Sequence, residues 1–436
     1  MYTDLKNKIL QQIEEDKFEI ISLLQEMVKI PSVTHPPIGD EGPVQKFISS
    51  VFYEMGLEVD IFEPTKVSGL ETHEGYWPGL NYDGRPNVVG VLRGCGGGRD
   101  LILNGHCDVV PPGPETLWAD HPFSGKVYGN RLFGRGAVDM KGGIVAMTMA
   151  VNSLKKCGIE LSGDVILESV VNEELGGYNG TLACIVKGYE ADAAIVTEPT
   201  DLKIEPATKG GQAYRISITG RGAHASFWWE GVSALDKAIF IKKAIEEFSV
   251  IRQKQTANSS LYSDLELFPT PALTDCVYSL QSGSPDIMGV PHEASMDLMI
   301  DVLPGESLDA VKQDFENFII EAASKDQYLK EYPPKIERAN MRDLYPTQIG
   351  LDNPIINILH ESFKDVKLSE PKICGFESAC DAMMFNLYSK TPALVFGPGQ
   401  LKLAHRPDEY MDLVQLIDGV KILALTIVDF CGYIEN

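Results

Sequence analysis

Seven side chains in this 436-residue chain have the types and settings needed to hold metal ions and to move a proton. Asn104-Gly105-His106-Cys107-Asp108 places an imidazole and a carboxylate two residues apart. Gly136-Ala137-Val138-Asp139-Met140-Lys141-Gly142-Gly143 offers Asp139. Asn172-Glu173-Glu174 offers two adjacent acids and Thr197-Glu198-Pro199 another, and His405 follows Gly397-Pro398-Gly399. Carboxylates gathered in one place repel, and burying them unpaired is costly. A divalent cation offsets both effects. Mixed imidazole and carboxylate donors suit zinc, and also cobalt or manganese. Two histidines and three carboxylates suffice for two ions if one carboxylate bridges.

Asp139 is the candidate bridge. His106 and Glu198 complete one ion's ligands, and Glu174 and His405 the other's. Asp108 follows His106 too closely to share its ion easily. It is expected to accept the other imidazole N–H, which fixes the tautomer and raises the ring's basicity. Glu173 is left over beside a ligand, where an unligated acid can act as general base. Zinc lowers the pKa of water from about 15.7 to about 7. At ~1.36 kcal/mol per unit that is roughly 12 kcal/mol, more than any neutral-pH side chain supplies alone.

The elements that must position these residues are readable from periodicity. Short apolar, β-branched runs at Asn87–Leu92, Leu101–Leu103, Asp164–Val171, Ala193–Val196 and Ala393–Phe396 read as strands. Helical spacing covers Leu5–Ile30, Gly42–Met55, Gly142–Lys156, Tyr178–Lys187, Asn353–Phe363, Cys380–Leu387 and Asp412–Phe430. Alternating apolar strands and helices predict an α/β fold with a mixed, mostly parallel sheet flanked by helices. Such sheets bind ligands just past the carboxyl ends of their strands, and four strand ends together with the start of the helix near Gly142 would deliver the seven residues to one edge.

Near Thr208 the pattern changes. Gln212–Thr219 alternates, a helix follows over Val232–Phe248, then strands at Thr274–Leu280 and Ala294–Leu303, a helix at Ser307–Ser324 and a strand at Lys335–Arg338. That β-α-β-β-α-β order is a ferredoxin-like α+β unit. It predicts a second domain, 207–344, inserted into a first one formed by 1–206 and 345–436. Lys66–Arg85, rich in Gly, Tyr and Trp, reads as a surface insertion, and Trp228-Trp229 as partly buried aromatics.

Composition removes several function classes. The formal charge of −24 disfavours nucleic acid and acidic membrane surfaces as partners. No run reaches the ~20 apolar residues of a membrane helix, and the charged start lacks a signal-peptide core. Eight scattered cysteines without a CxxC pair read as reduced thiols of a cytoplasmic protein. Cys107 reads as a small buried residue, not a nucleophile.

The runs LILNGHCDVVPPG, GRGAVDMKGG, NEELGG, VTEPT and FGPGQLKLAHRPDEY resemble the dinuclear zinc hydrolase family of acetylornithine deacetylase. Succinyl-diaminopimelate desuccinylase, aminoacylase and glutamate carboxypeptidase belong to the same family. Five motifs in order are far more specific than any one. The resemblance implies metal ligands at His106, Asp139, Glu174, Glu198 and His405, the base at Glu173 and the His-orienting acid at Asp108. It also implies a cis peptide after Asp139. The inserted domain would be a lid that makes a homodimer. Its run GRGAHAS puts His224 in the role of a donor to the oxyanion across subunits.

Two positions depart from the family pattern. Asp301 stands where many members carry an Arg that grips a substrate carboxylate, and Cys380 where Thr is common. Glu at position 198 goes with N-acyl hydrolases and carboxypeptidases. The expected activity is removal of an acetyl, succinyl or formyl type of acyl group from a small N-acylated amino acid or amine. Rival readings are a carboxypeptidase or dipeptidase of the same fold, a metal-retaining binding protein without activity, and a cysteine hydrolase.

Overall fold

The computed structural model describes residues 2–174, 176–177, 179–256, 259–264, 277–283, 288–339 and 341–434. They form two compact units, Met1–Ala207 with Gln348–Phe376 and Cys380–Asn436, and Thr208–Thr347 with Glu377–Ala379.

The first unit is built on a mixed sheet. Its strands run in the order Glu58–Phe62, Asn87–Leu92, Val165–Val170, Leu101–His106, Ala193–Val196, Ala393–Val395, Ile204–Thr208, and Ile373–Phe376 pairs with the last. The four strands from Val165–Val170 to Ala393–Val395 pair in parallel, and the strands flanking those four pair antiparallel with them. Those four strands are buried on both faces. Leu101, Leu103, Val165, Leu167, Ala193 and Ile195 enter a core shared with helices Gly142–Lys156, Pro354–Lys367 and Leu413–Cys431. The alternate residues Ile102, Ile166 and Ala194 are also buried but outside that core, as a period of two requires. The sheet and its helices therefore hold the four parallel carboxyl ends together at one edge.

Two expectations change here. Lys66–Arg85 is not purely superficial: Leu70, Tyr82 and Arg85 are buried. Arg85 pairs with the buried Glu41, and Tyr82 donates its hydroxyl to Asn172 Oδ1 at 2.7 Å. The segment thus reaches the loop that carries Glu173. The helix expected from Tyr178 begins at Gly180; Tyr178 lies outside the described residues.

Lys141 is fully buried beneath the same edge. Its ammonium donates to the carbonyls of Met27 at 3.0 Å and Ile30 at 2.8 Å, at the end of helix Lys17–Lys29. A cation suits those C-terminal carbonyls. Burial pulls its pKa down to about 8.

The second unit has the strand order Val277–Ser282, Glu293–Val302, Gly210–Thr219, Lys335–Arg338, antiparallel throughout. Helices Ala234–Thr256 and Leu308–Ser324 cover one face, where Ile216, Met296, Leu298, Phe248 and Phe315 form the core. This is the split-βαβ arrangement. The Thr274–Cys276 part of the expected strand lies outside the described residues. Trp228 and Trp229 are exposed, not partly buried. They sit on a six-residue turn, Ala225–Glu230, that buries nothing, and they pack edge-to-face on each other at 6.2 Å.

Candidate metal centre

His106 is the last residue of its strand and is buried. Its Nδ1–H donates to the backbone carbonyl of Asp108 at 2.9 Å, which leaves Nε2 with its lone pair free for a cation. This corrects the expected role of Asp108. The ring is held by that residue's main chain, and the Asp108 carboxylate lies 3.7 Å from Nδ1. The carboxylate instead accepts the amides of Glu173 at 3.0 Å and Glu174 at 3.2 Å. The reason is geometric: the chain turns after His106, so carbonyl 108 meets the ring while side chain 108 reaches the loop after Val170. Asn172 there adopts a left-handed φ of 65°, a conformation that needs support in a non-glycine residue. The Tyr82 hydroxyl provides it.

Asp139 lies in the turn Ala137–Lys141 ahead of helix Gly142–Lys156, and the Asp139–Met140 peptide is cis. Gly143 lets that helix start against the Glu198 strand end: a Cβ there would sit 2.0 Å from the Thr197 carbonyl. The two oxygens of Asp139 diverge. Oδ1 is 3.2 Å from His106 Nε2, and Oδ2 is 3.2 Å from His405 Nε2. Glu198 Oε1 lies 3.6 Å from His106 Nε2, and Glu174 Oε2 lies 2.8 Å from His405 Nε2.

Two donor triads result, His106–Asp139–Glu198 and Asp139–Glu174–His405, with the ligand atoms of each within 4.8 Å of one another. A donor set of two neutral imidazole nitrogens and three carboxylates, one shared, fits two divalent ions. Glu173 belongs to neither triad. Its Oε2 lies 3.8 Å from His106 Nε2. The residues named from the sequence at the strand ends are thus brought together. His224 belongs to the second unit, where its Nδ1 accepts the Ser226 amide at 3.1 Å.

The electrostatics follow from burial. Desolvation pushes Glu173 and Glu198 well above the usual carboxylate range, with His106 pulling the other way. The His405 ring is half exposed and only partly desolvated, and its bonds to Asp139 and Glu174 outweigh that loss and raise it to about 11. Such carboxylates and imidazoles hold protons that a cation displaces, so metal uptake releases protons. Burial lifts the Cys107 thiol far above its ordinary value, so it is a poor nucleophile.

Behind the centre, buried Glu168 accepts Asn104 Nδ2 at 2.9 Å, and burial raises its pKa from 4.5 to about 8. An acid whose folded pKa exceeds its unfolded value takes up a proton on folding. Its contribution is therefore present at low pH and lost as pH rises from 4.5 through about 8. Glu168→Gln is expected to become more stable than the parent as pH rises. The difference should widen by on the order of 4 kcal/mol between pH ~5 and ~9. Urea unfolding at both pH values measures it; a pH-independent difference would contradict the buried neutral acid.

Strand ends and a helix start that gather two imidazoles and four acids beside one unligated glutamate define a metal-dependent hydrolase of amide bonds. The chain belongs to Peptidase family M20/M25/M40, which it matches over residues 102–429. It is 27% identical over 443 residues to the N-formyl-4-amino-5-aminomethyl-2-methylpyrimidine deformylase of Bacillus subtilis (strain 168), covering 97% of each chain. It is 28% identical over 346 residues to a probable succinyl-diaminopimelate desuccinylase of Staphylococcus aureus (strain MSSA476), covering 75% of this chain and 82% of that one. The fold matches the crystal structure of human carnosine dipeptidase 1 with a TM-score of 0.73, over 98% and 99% of the two chains at 17% identity.

Sequence reasoning missed two groups that the geometry brings to the centre, the Arg135–Glu409 pair and the Glu41–Arg85 pair. Arg135 and Glu409 both lie inside the motif runs. Arg135 stands among buried neighbours, whereas Glu409 follows the exposed Lys402, His405 and Arg406 and gave no such signal.

Proposed function

We propose that this protein is a two-metal N-deacylase that removes a formyl-type acyl group from a small amine lacking a carboxylate. The observation that carries the reading is Glu173, an acid 3.8 Å from His106 of one triad and part of neither. The end-to-end match to a deformylase supports the formyl preference. So does Asp301, which lies 3.4 Å from Lys209 Nζ where the family resemblance would put a carboxylate-gripping Arg.

Divalent ions at the triads would supply Lewis-acid polarisation and lower the proton affinity of water. We assign zinc, with cobalt or manganese as substitutes. Glu173 takes a proton at its carboxylate and delivers it to the departing nitrogen. Asp108 holds the backbone of Glu173 and Glu174 in place. His224 accepts a backbone amide at Nδ1, so its neutral ring carries the proton on Nε2. That N–H is assigned to the oxyanion in the partner subunit of a homodimer, with unit 208–347 as lid and dimerisation module. A cytoplasmic setting agrees with the seven free cysteines among the described residues. No described helix is long and apolar enough to cross a membrane.

The test is a substrate panel on the metal-loaded protein: N-formyl, N-acetyl and N-succinyl derivatives of aminomethyl heteroaromatics and of amino acids, beside dipeptides. We expect kcat/KM for an N-formyl heteroaromatic amine to exceed that for the best dipeptide by at least ~100-fold, about 2.7 kcal/mol of transition-state discrimination. A dipeptide or an N-acyl amino acid at the top of the ranking would replace this reading with a peptidase or an amino-acid deacylase.

A further inference from the structure

Glu409 is a fully buried carboxylate four residues beyond His405. Its Oε1 accepts two consecutive amides of the bridging turn, Val138 N–H at 3.0 Å and Asp139 N–H at 3.3 Å. Its Oε2 pairs with Arg135 Nη1, and the Arg135 guanidinium lies 5.4 Å over the Trp118 ring. The backbone is tied at the same place, where Gly134 N–H donates to the Glu409 carbonyl at 2.9 Å. One side chain thus fixes the amide of Asp139 from behind, as Asp108 fixes the amides of Glu173 and Glu174. Arg135 supplies the positive charge without which another anion here would add to the repulsion among the clustered acids.

We propose that Glu409, with Arg135 as its counter-charge, is the positioning residue that aims the two oxygens of Asp139 at two different ions. The inference rests on the two-metal reading of the centre. Glu409 is not among the donor atoms of either triad, so it acts through Asp139. Asp139 is the donor common to both triads, with one oxygen toward His106 and one toward His405. Displacing its backbone therefore disturbs both ion sites together, whereas losing a terminal ligand disturbs chiefly one. Outer groups that orient a ligand typically govern 10–100-fold in metal affinity.

The experiment uses the full chain with Glu409→Asp and Glu409→Gln. The Asp variant keeps the charge opposite Arg135 but withdraws the acceptor by about 1.5 Å, one carbon–carbon bond, from the amides. The Gln variant keeps the reach and removes the charge. Zinc affinity is measured by competition with a chromophoric chelator, metal per chain by elemental analysis, and activity against buffered free zinc. We expect both binding steps of Glu409→Asp to weaken together by ~10–100-fold. Its activity curve should shift to higher free zinc by the same factor, with the kcat plateau within about threefold of the parent. Circular dichroism of the metal-free form should match the parent.

Affinities within twofold of the parent in both variants would overturn the proposal. So would weakening of one binding step alone, or a kcat plateau that saturating zinc does not restore. Variants that lose structure without metal, while their folded fraction binds zinc normally, would make Glu409 a scaffold residue and overturn it too. A parent that binds fewer than two ions fails differently, because it removes the two-metal reading before any variant is compared.

Discussion

Glu173→Gln is expected to lower kcat about 1,000-fold while leaving two ions bound per chain. A positioned general base contributes about 10²–10⁴-fold, and glutamine has the same shape but no basic oxygen. Metal content should not change, because Glu173 is in neither triad and its main chain is held independently by Asp108. KM should move little, since the proton is transferred only as the reaction proceeds. Steady-state kinetics with elemental analysis on the same preparation decide the matter. Activity within tenfold of the parent would remove Glu173 from its role. Loss of an ion would make it a ligand.

The second large effect belongs to the bridge. In Asp139→Asn one carboxylate oxygen becomes an NH2 group, which has no lone pair to offer and directs protons at a cation. Because Oδ1 and Oδ2 serve different triads, the variant spoils one site outright and removes the bridging negative charge from the other. We expect metal content to fall from two ions per chain to below one, and activity to fall by at least ~10⁴-fold, the loss of both Lewis-acid and base chemistry. His405→Ala provides the contrast. It removes one terminal donor and should leave about one ion, in the His106–Asp139–Glu198 triad. Retention of two ions by Asp139→Asn would show that the carboxylate does not bridge.

Much of this centre was readable in the sequence, for a physical reason. Strands buried on both faces, such as Leu101–His106, must be apolar through most of their length, so the polar residue at each carboxyl end stands out. The strand Ile204–Thr208 was missed because it carries Glu205 and Pro206 yet is buried; Glu205 Oε1 there accepts the Cys374 thiol at 3.5 Å, a contact that spacing does not foretell. Glu58–Phe62 was missed because it sits at the sheet edge with no clean alternation. The role of Asp108 was misassigned because spacing alone does not say whether a residue presents its carbonyl or its carboxylate to a neighbouring ring. Trp228 and Trp229 were expected to be partly buried because large aromatics usually are. The turn that holds them has no core to enter.

The Lys141 ammonium has a bearing on where this enzyme's working part begins. The family match starts at residue 102, yet Lys141, two positions from the bridging aspartate, is anchored on carbonyls 27 and 30. Trimming the protein to residues 102–429 would strand a charged amine in apolar surroundings next to the most demanding ligand. Deleting partners of a buried charge costs about 3–5 kcal/mol, a large fraction of what a protein has to spare. The opening helices are therefore foundation, not prelude, and the smallest competent fragment must include them.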